Sequence, residues 1–197
     1  MNVRPRQPRS RDITKIFEEI VSLVPNGLHI TYTDYNEEEI EVVNPHVNYV
    51  FGNTQYVKAT LDEMSKGRFM ADEKLPMIAL FNPIVEDRGN PDYYAVVKVN
   101  VLIACQTNRD WSNEQRRDYS FVNVLRPIYD RFIEELKADG RFDFGYNTSI
   151  KHSYSENYSY GKYGAFTSTG EEVSEPIDAI DIRNLELKIT HQNCRTQ

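Results

Sequence analysis

Between Tyr93 and Cys105 every second residue is apolar or aromatic. Tyr93, Ala95, Val97, Val99, Val101, Ile103 and Cys105 share one parity, and Lys98, Asn100 and Gln106 share the other. Side chains alternate across a strand, so this pattern specifies a long strand with one face turned to a core. A sheet with that strand in it needs a cover, and a second stretch supplies one. Phe121, Val122, Leu125, Ile128, Tyr129, Phe132, Ile133 and Leu136 fall on one face of a helix. Ser112-Asn113-Glu114-Gln115 before it is a capping box, in which Ser112 and Gln115 satisfy two otherwise free backbone donors. Pro127 has no N–H to give, so a kink or break is expected near Asn123 to Arg126, and Gly140 marks the end of the helix.

The last strand has a phase change. Ile180 and Ile182 share one parity, whereas Leu185, Leu187 and Ile189 share the other. A one-residue slip turns a strand's apolar set over to the other face unless a bulge absorbs it. The bulge is expected at Arg183-Asn184.

The remaining elements are shorter. Asp12 reads as the N-cap of a helix carrying Ile13, Ile16, Phe17, Ile20, Val21 and Val24 on one face, stopped by Pro25-Asn26-Gly27. Leu28, Ile30 and Tyr32 alternate as in a strand. Asn53 or Thr54 opens a second helix with Val57, Leu61 and Met64 on one side and Gly67 at its end. Pro76 to Phe81 is a short apolar strand whose flanking prolines place it near an edge. Two strands, about 147–154 and 179–190, flank the stretch from Gly145 to Glu175. Together these elements give an α+β fold: a mostly antiparallel sheet with a long helix packed on one face, plus a protruding β-hairpin arm. The expected organisation is a basic arm over 1–11, a single domain over 12–190 with the arm at 145–175 inserted in it, and a tail over 191–197.

That arm is the feature with most bearing on function. Tyr146, Tyr154, Tyr158, Tyr160, Tyr163 and Phe166 are separated by Ser, Thr, Asn, Gly and charged residues. Tyrosine gives a large contact area with few rotatable bonds, and Ser, Gly and Asn give adaptable hydrogen bonding. A solvated hairpin tip is the plainer reading. The sharper one makes Tyr154, Tyr158, Tyr160, Tyr163 and Phe166 a protein interface lying outside the domain's own core. At the other end, Arg4, Arg6, Arg9 and Arg11 with Pro5 and Pro8 make a basic, extended arm suited to an acidic partner or to phosphate.

Chemistry is sparse. His29, His46, His152 and His191 do not recur at metal-ligand spacing with one another or with Cys105 or Cys194. Asp34, Asn36 and Glu38 begin like a calcium loop, but Glu39 and Pro45 stand where glycine and glutamate are required. Phe51-Gly52-Asn53-Thr54 lacks the lysine of a phosphate loop, and no nucleophile elbow is present. The expectation is a protein without enzymatic activity, metal or cofactor. With 197 residues and a net charge of −7, the chain is expected to fold as one compact domain that does not wrap nucleic acid, in a reducing compartment. No apolar run is long enough for a membrane span.

Several phrases resemble a family. They are Asn44-Pro45 with Tyr49-Val50-Phe51-Gly52, Lys74-Leu75-Pro76-Met77-Ile78-Ala79-Leu80, Thr107 with Trp111-Ser112-Asn113-Glu114-Gln115-Arg116, and Leu125-Arg126-Pro127-Ile128-Tyr129. Over about 12–137 and the final strand the chain resembles neck and tail ring proteins of tailed bacteriophages, those of crAss-like phages above all. Their fold is similar to that of tail-terminator and tail-completion proteins. The resemblance implies a structural virion protein, made in the host cytoplasm. It would form a homo-oligomeric ring between portal and tail, touching adjacent portal, neck or tail ring proteins, and the genomic DNA would pass through its channel without sequence-specific binding. A cytosolic adaptor or ligand-binding module whose arm closes over its ligand is the alternative.

Overall fold

The computed structural model describes residues 12–34, 36–57, 75–90, 94–108, 110–145, 149–158 and 177–190. The chain opens with α1 (Ile13–Leu23), and the Asp12 carboxylate accepts the Thr14 N–H at 3.0 Å, as expected of an N-cap. Gly27, at φ 73°, turns the chain out of the helix, and its N–H donates to Asn44 Oδ1 at 2.7 Å. Strands β1 (His29–Thr33) and β2 (Glu39–Val43) then form an antiparallel two-stranded sheet.

The main sheet has five strands in the order β3-β4-β5-β7-β6, where β3 is Asn48–Gly52, β4 Met77–Asn90, β5 Tyr94–Gln106, β6 Ser153–Asn157 and β7 Ile177–Thr190. Only the β3–β4 pair is parallel. Met77–Phe81 lies one strand in from the β3 end of the sheet, so it is near an edge, as expected, but is itself paired on both sides, with β3 and with β5. The flanking prolines are compatible with this double pairing because both stand outside it. Pro76 precedes it, and Pro83 falls where the β4–β5 register shifts between Phe81 and Val85, so neither removes a needed donor.

The bulge lies where the phase change put it. Val99 faces Leu185 and Val101 faces Ile182, so Arg183 and Asn184 together oppose Asn100. Asn184 adopts φ 54°, and its N–H donates to the Asn100 side chain at 3.0 Å. Ile180 and Ile182 before the bulge, and Leu185, Leu187 and Ile189 after it, all enter one core. That core holds Phe17 and Ile20 of α1, Val97 to Ile103 of β5 at alternate positions, and the long helix.

The long helix, α2, is continuous through Pro127 but changes winding. It runs as α-helix over Asn113–Arg116, as π-helix over Arg117–Leu125, and as α-helix again over Arg126–Ala138. The Ser112–Gln115 capping box is formed from both sides. The Arg126 N–H reaches back five residues to Phe121 O, so no break is needed. Pro127 then sits in the first turn of the following α-segment, where a missing N–H costs little. Because a π-turn holds more residues, the buried stripe drifts. Val122, expected in the core, is 43% exposed, whereas Ser120 and Val124 are buried with Phe121 and Leu125.

The second face of the sheet is covered at one end as well. Met77, Ala79, Leu102, Ala104, Ile177 and Ala179 form a smaller cluster with Val57. Val57 is the last described residue of a helical stretch that begins at Thr54, where the Tyr56 N–H is bonded to Asn53 Oδ1 at 2.7 Å. The expected continuation through Leu61 and Met64 to Gly67 lies outside the described residues.

The bulge gives a direct test. Replacing Asn184 by Val, which tolerates positive φ poorly, should cost about 1–3 kcal/mol in urea unfolding, whereas Asn184→Gly should be near neutral. Equal effects of the two would show that the left-handed residue does not hold the register.

Candidate interaction surface

Strand β6 was expected over about 147–154 but spans Ser153–Asn157, with Asn157 opposite Ala179. Ser and Asn between the tyrosines carry no apolar period, so the register is decided by what the side chains meet. His152, Tyr154, Glu156 and Tyr158 alternate, and all four meet α2. Arg126 donates from Nε and Nη2 to the two carboxylate oxygens of Glu156 at 2.8 and 3.2 Å. The Tyr154 hydroxyl donates to Glu156 Oε1 at 2.6 Å, and its ring meets Tyr129 edge-on at 4.9 Å between centroids. Tyr158 packs on Phe121 at 4.5 Å. The Tyr129 hydroxyl lies 2.7 Å from His152 Nε2, and His152 Nδ1 lies 2.8 Å from Ile150 O. A carbonyl can only accept, so Nδ1 carries the proton and Nε2 accepts from Tyr129.

The expectation of an arm wholly outside the core is thus corrected at its base. Tyr158 packs against the main core, and Tyr154, 41% exposed, is braced by Tyr129 and Glu156. Tyr160, Tyr163 and Phe166, and Arg4, Arg6, Arg9 and Arg11, lie outside the described residues. Arg126, Tyr129, His152 and Glu156 were missed as a group. Their one sequence signal is the match of Arg126 and Tyr129, three apart on a helix, with alternate residues of β6.

Electrostatics agree with this geometry. The Arg126 guanidinium holds the Glu156 carboxyl below its usual range against the opposing effect of burial. Burial, then the neighbouring Glu156 carboxylate, pushes the Tyr154 phenol upward.

A second polar group is fully enclosed. Arg116 Nη1 lies 3.5 Å from Asp178 Oδ1, and Arg116 Nη2 donates to Asn108 O at 2.9 Å. Ser120 and Thr107 stand beside them, both buried, with their hydroxyls 3.4 Å apart. The pair ties the start of β7 to the start of α2. Burial pushes the adjacent Cys105 thiol upward, away from thiolate chemistry.

The other histidines have modest roles. His29 Nδ1 lies 3.4 Å from Glu41 at the surface, His46 Nε2 lies 3.0 Å from Asn48 Oδ1, and His191 is outside the described residues. Asp34 is a turn former, accepting the Asn36 and Glu38 N–H groups at 2.8 Å each. Among the described residues, no group of three His, Cys, Asp or Glu could hold a metal ion, and no helix is long and apolar enough to cross a membrane.

Compared with known proteins, the chain matches no family model and no curated protein. Its surfaces therefore carry the functional reading.

Two outcomes follow. Glu156 has a depressed folded pKa, so its pairing stabilises fully above the ordinary carboxylate value of about 4.3 and is lost as pH falls through the lower folded value. Glu156→Gln should therefore cost about 1 kcal/mol at pH 7, after allowing for the exposure of Arg126, and progressively less as the pH falls below the ordinary carboxylate value. Thermal melts of both proteins across that range check this. Asp178→Ala, which leaves Arg116 enclosed without its carboxylate, should cost about 3–5 kcal/mol in denaturant unfolding.

Proposed function

We propose that this chain is a structural virion protein, a ring subunit in the neck or tail of a tailed bacteriophage that joins portal to tail around the DNA channel. One observation carries the reading beyond the sequence resemblance: the five-stranded sheet ends in two different strands, β3 and β6, each paired on one side only among the described residues. A ring is closed by heterologous contacts, in which one patch of each copy meets a different patch of the next. Two unlike strands at opposite ends of one sheet, roughly 19 Å apart at ordinary strand spacing, supply such a pair of patches. Both ends present an exposed aromatic side chain, Phe51 on β3 and Tyr154 on β6.

The net charge of −7 suits a channel wall that must let DNA slide, since like charge reduces sticking. Homo-oligomerisation, contact with rings above and below, and a place in the virion are parts of the same proposal. The tyrosine-rich segment serves those contacts through Tyr160, Tyr163 and Phe166, with Tyr154 and Tyr158 packed on α2.

Negative-stain images of the purified protein, and of particles containing it, test the reading. Closed rings, or a monomer that enters rings only with its partners, are expected. A protein that stays monomeric and is absent from particles would overturn it. Replacing Tyr160, Tyr163 and Phe166 together by Ser should leave the melting curve unchanged. Incorporation should weaken by several kcal/mol, since central aromatic anchors are each worth about 2 kcal/mol or more.

A further inference from the structure

We propose that β2 is the seat for the basic N-terminal segment, residues 1–11, of a neighbouring copy; this rests on the ring reading and names one of its contacts. In the two-stranded sheet β2 pairs with β1 alone, so among the described residues its other edge is open. Glu39, Glu41 and Val43 share one face of β2, opposite Thr33, Thr31 and His29, and all three are exposed. Val43 is 52% exposed and adds apolar footing beside the carboxylates on that face.

The seat is held in shape from several sides. Asp34 closes the turn between the strands, Gln115 Nε2 donates to Glu37 Oε1 at 2.9 Å, and the Asn44 N–H donates to Leu28 O at 2.8 Å. Ile30 is buried in the main core, and Tyr32 and Val42 pack against it, which anchors the hairpin. A rigid edge offers partners to an incoming segment without an ordering cost of its own.

The occupant is argued from charge and spacing. Arg4 and Arg6 are two residues apart, as are Arg9 and Arg11, and so are Glu39 and Glu41. Two residues of extended or polyproline chain advance about 6–7 Å, so one arginine pair can address both carboxylates from the same side. Guanidinium groups bind carboxylates through paired charge-assisted hydrogen bonds, and their stems can lie on Val43. Residues 1–11 join the domain at Asp12, and the Tyr49 hydroxyl on β3 donates to Thr14 O at 2.9 Å. The segment is thus rooted beside the β3 end of the sheet, the end that a ring turns toward the next copy.

Two full-length proteins test this, one with Arg4, Arg6, Arg9 and Arg11 all changed to Glu and one with Glu39→Arg and Glu41→Arg. Each alone should self-associate on the order of 100-fold more weakly than the original in sedimentation, because like charges are brought together. Mixed, they should recover most of the association, since a basic β2 then meets an acidic segment. In a Cys194→Ser background, a copy with Gln7→Cys mixed with a copy with Val43→Cys should form a disulfide between copies. Full association by both charge variants, or no cross-linked pair on mixing, would overturn the proposal. So would a Gln7→Cys, Val43→Cys double variant that closes its disulfide only within one chain, or a segment variant that loses DNA retention but not self-association. Rings that persist in both charge variants would sink this contact and leave the ring reading standing, whereas an original protein that neither assembles nor enters particles would sink that reading itself.

Discussion

Strand β7 has to send five large apolar side chains into one core from a sequence whose phase slips midway. Ile180 and Ile182 face the helix layer, and without Arg183-Asn184 as an extra residue Leu185, Leu187 and Ile189 would point away from it. The left-handed backbone at Asn184 and its N–H bond to Asn100 hold that single unpaired step in place. Much of the domain depends on it. β7 lies between β5 and β6, so its register sets how β6 is presented to α2. Its first residues also carry Asp178 to Arg116.

The winding of α2 is the matching device on the helix side. A proline in the middle of a long helix demands relief, and the π-segment ending at Leu125 supplies it by letting the Arg126 N–H reach Phe121 O. The rotation this brings exposes Val122 and buries Val124. Arg126 and Tyr129 then meet Glu156 and Tyr154 on β6 and His152 just before it. Helix and strand are joined there by a bidentate ion pair, an edge-on aromatic contact and a histidine of defined tautomer. The tyrosine-rich segment is therefore rooted rigidly, and such a base suits an element proposed to reach another subunit.

Periodicity and caps were legible in the chain where a signal is local. The Asp12 cap, the Ser112–Gln115 box, the alternation of β5 and the bulge in β7 each depend on residues a few positions apart, which backbone geometry converts directly into structure. The interaction surface was legible only in part. Tyr154 and Tyr158 stood out by composition, but their partners Tyr129, Glu156 and Phe121 did not, because a polar, aromatic strand has no apolar period to orient it.

By itself the sequence determined the α+β class, the helix starts and the buried faces of β5 and β7, since spacing at two or about 3.6 residues is a property of the chain alone. Tertiary structure decided the parallel pairing of β3 with β4, the interior place of Met77–Phe81 and the turn of Tyr158 toward Phe121. It also chose the π-winding before Pro127 over a break. Each of these is a choice among locally equivalent options, and the option taken is the one that buries apolar surface while pairing the backbone, a balance set only when distant segments meet.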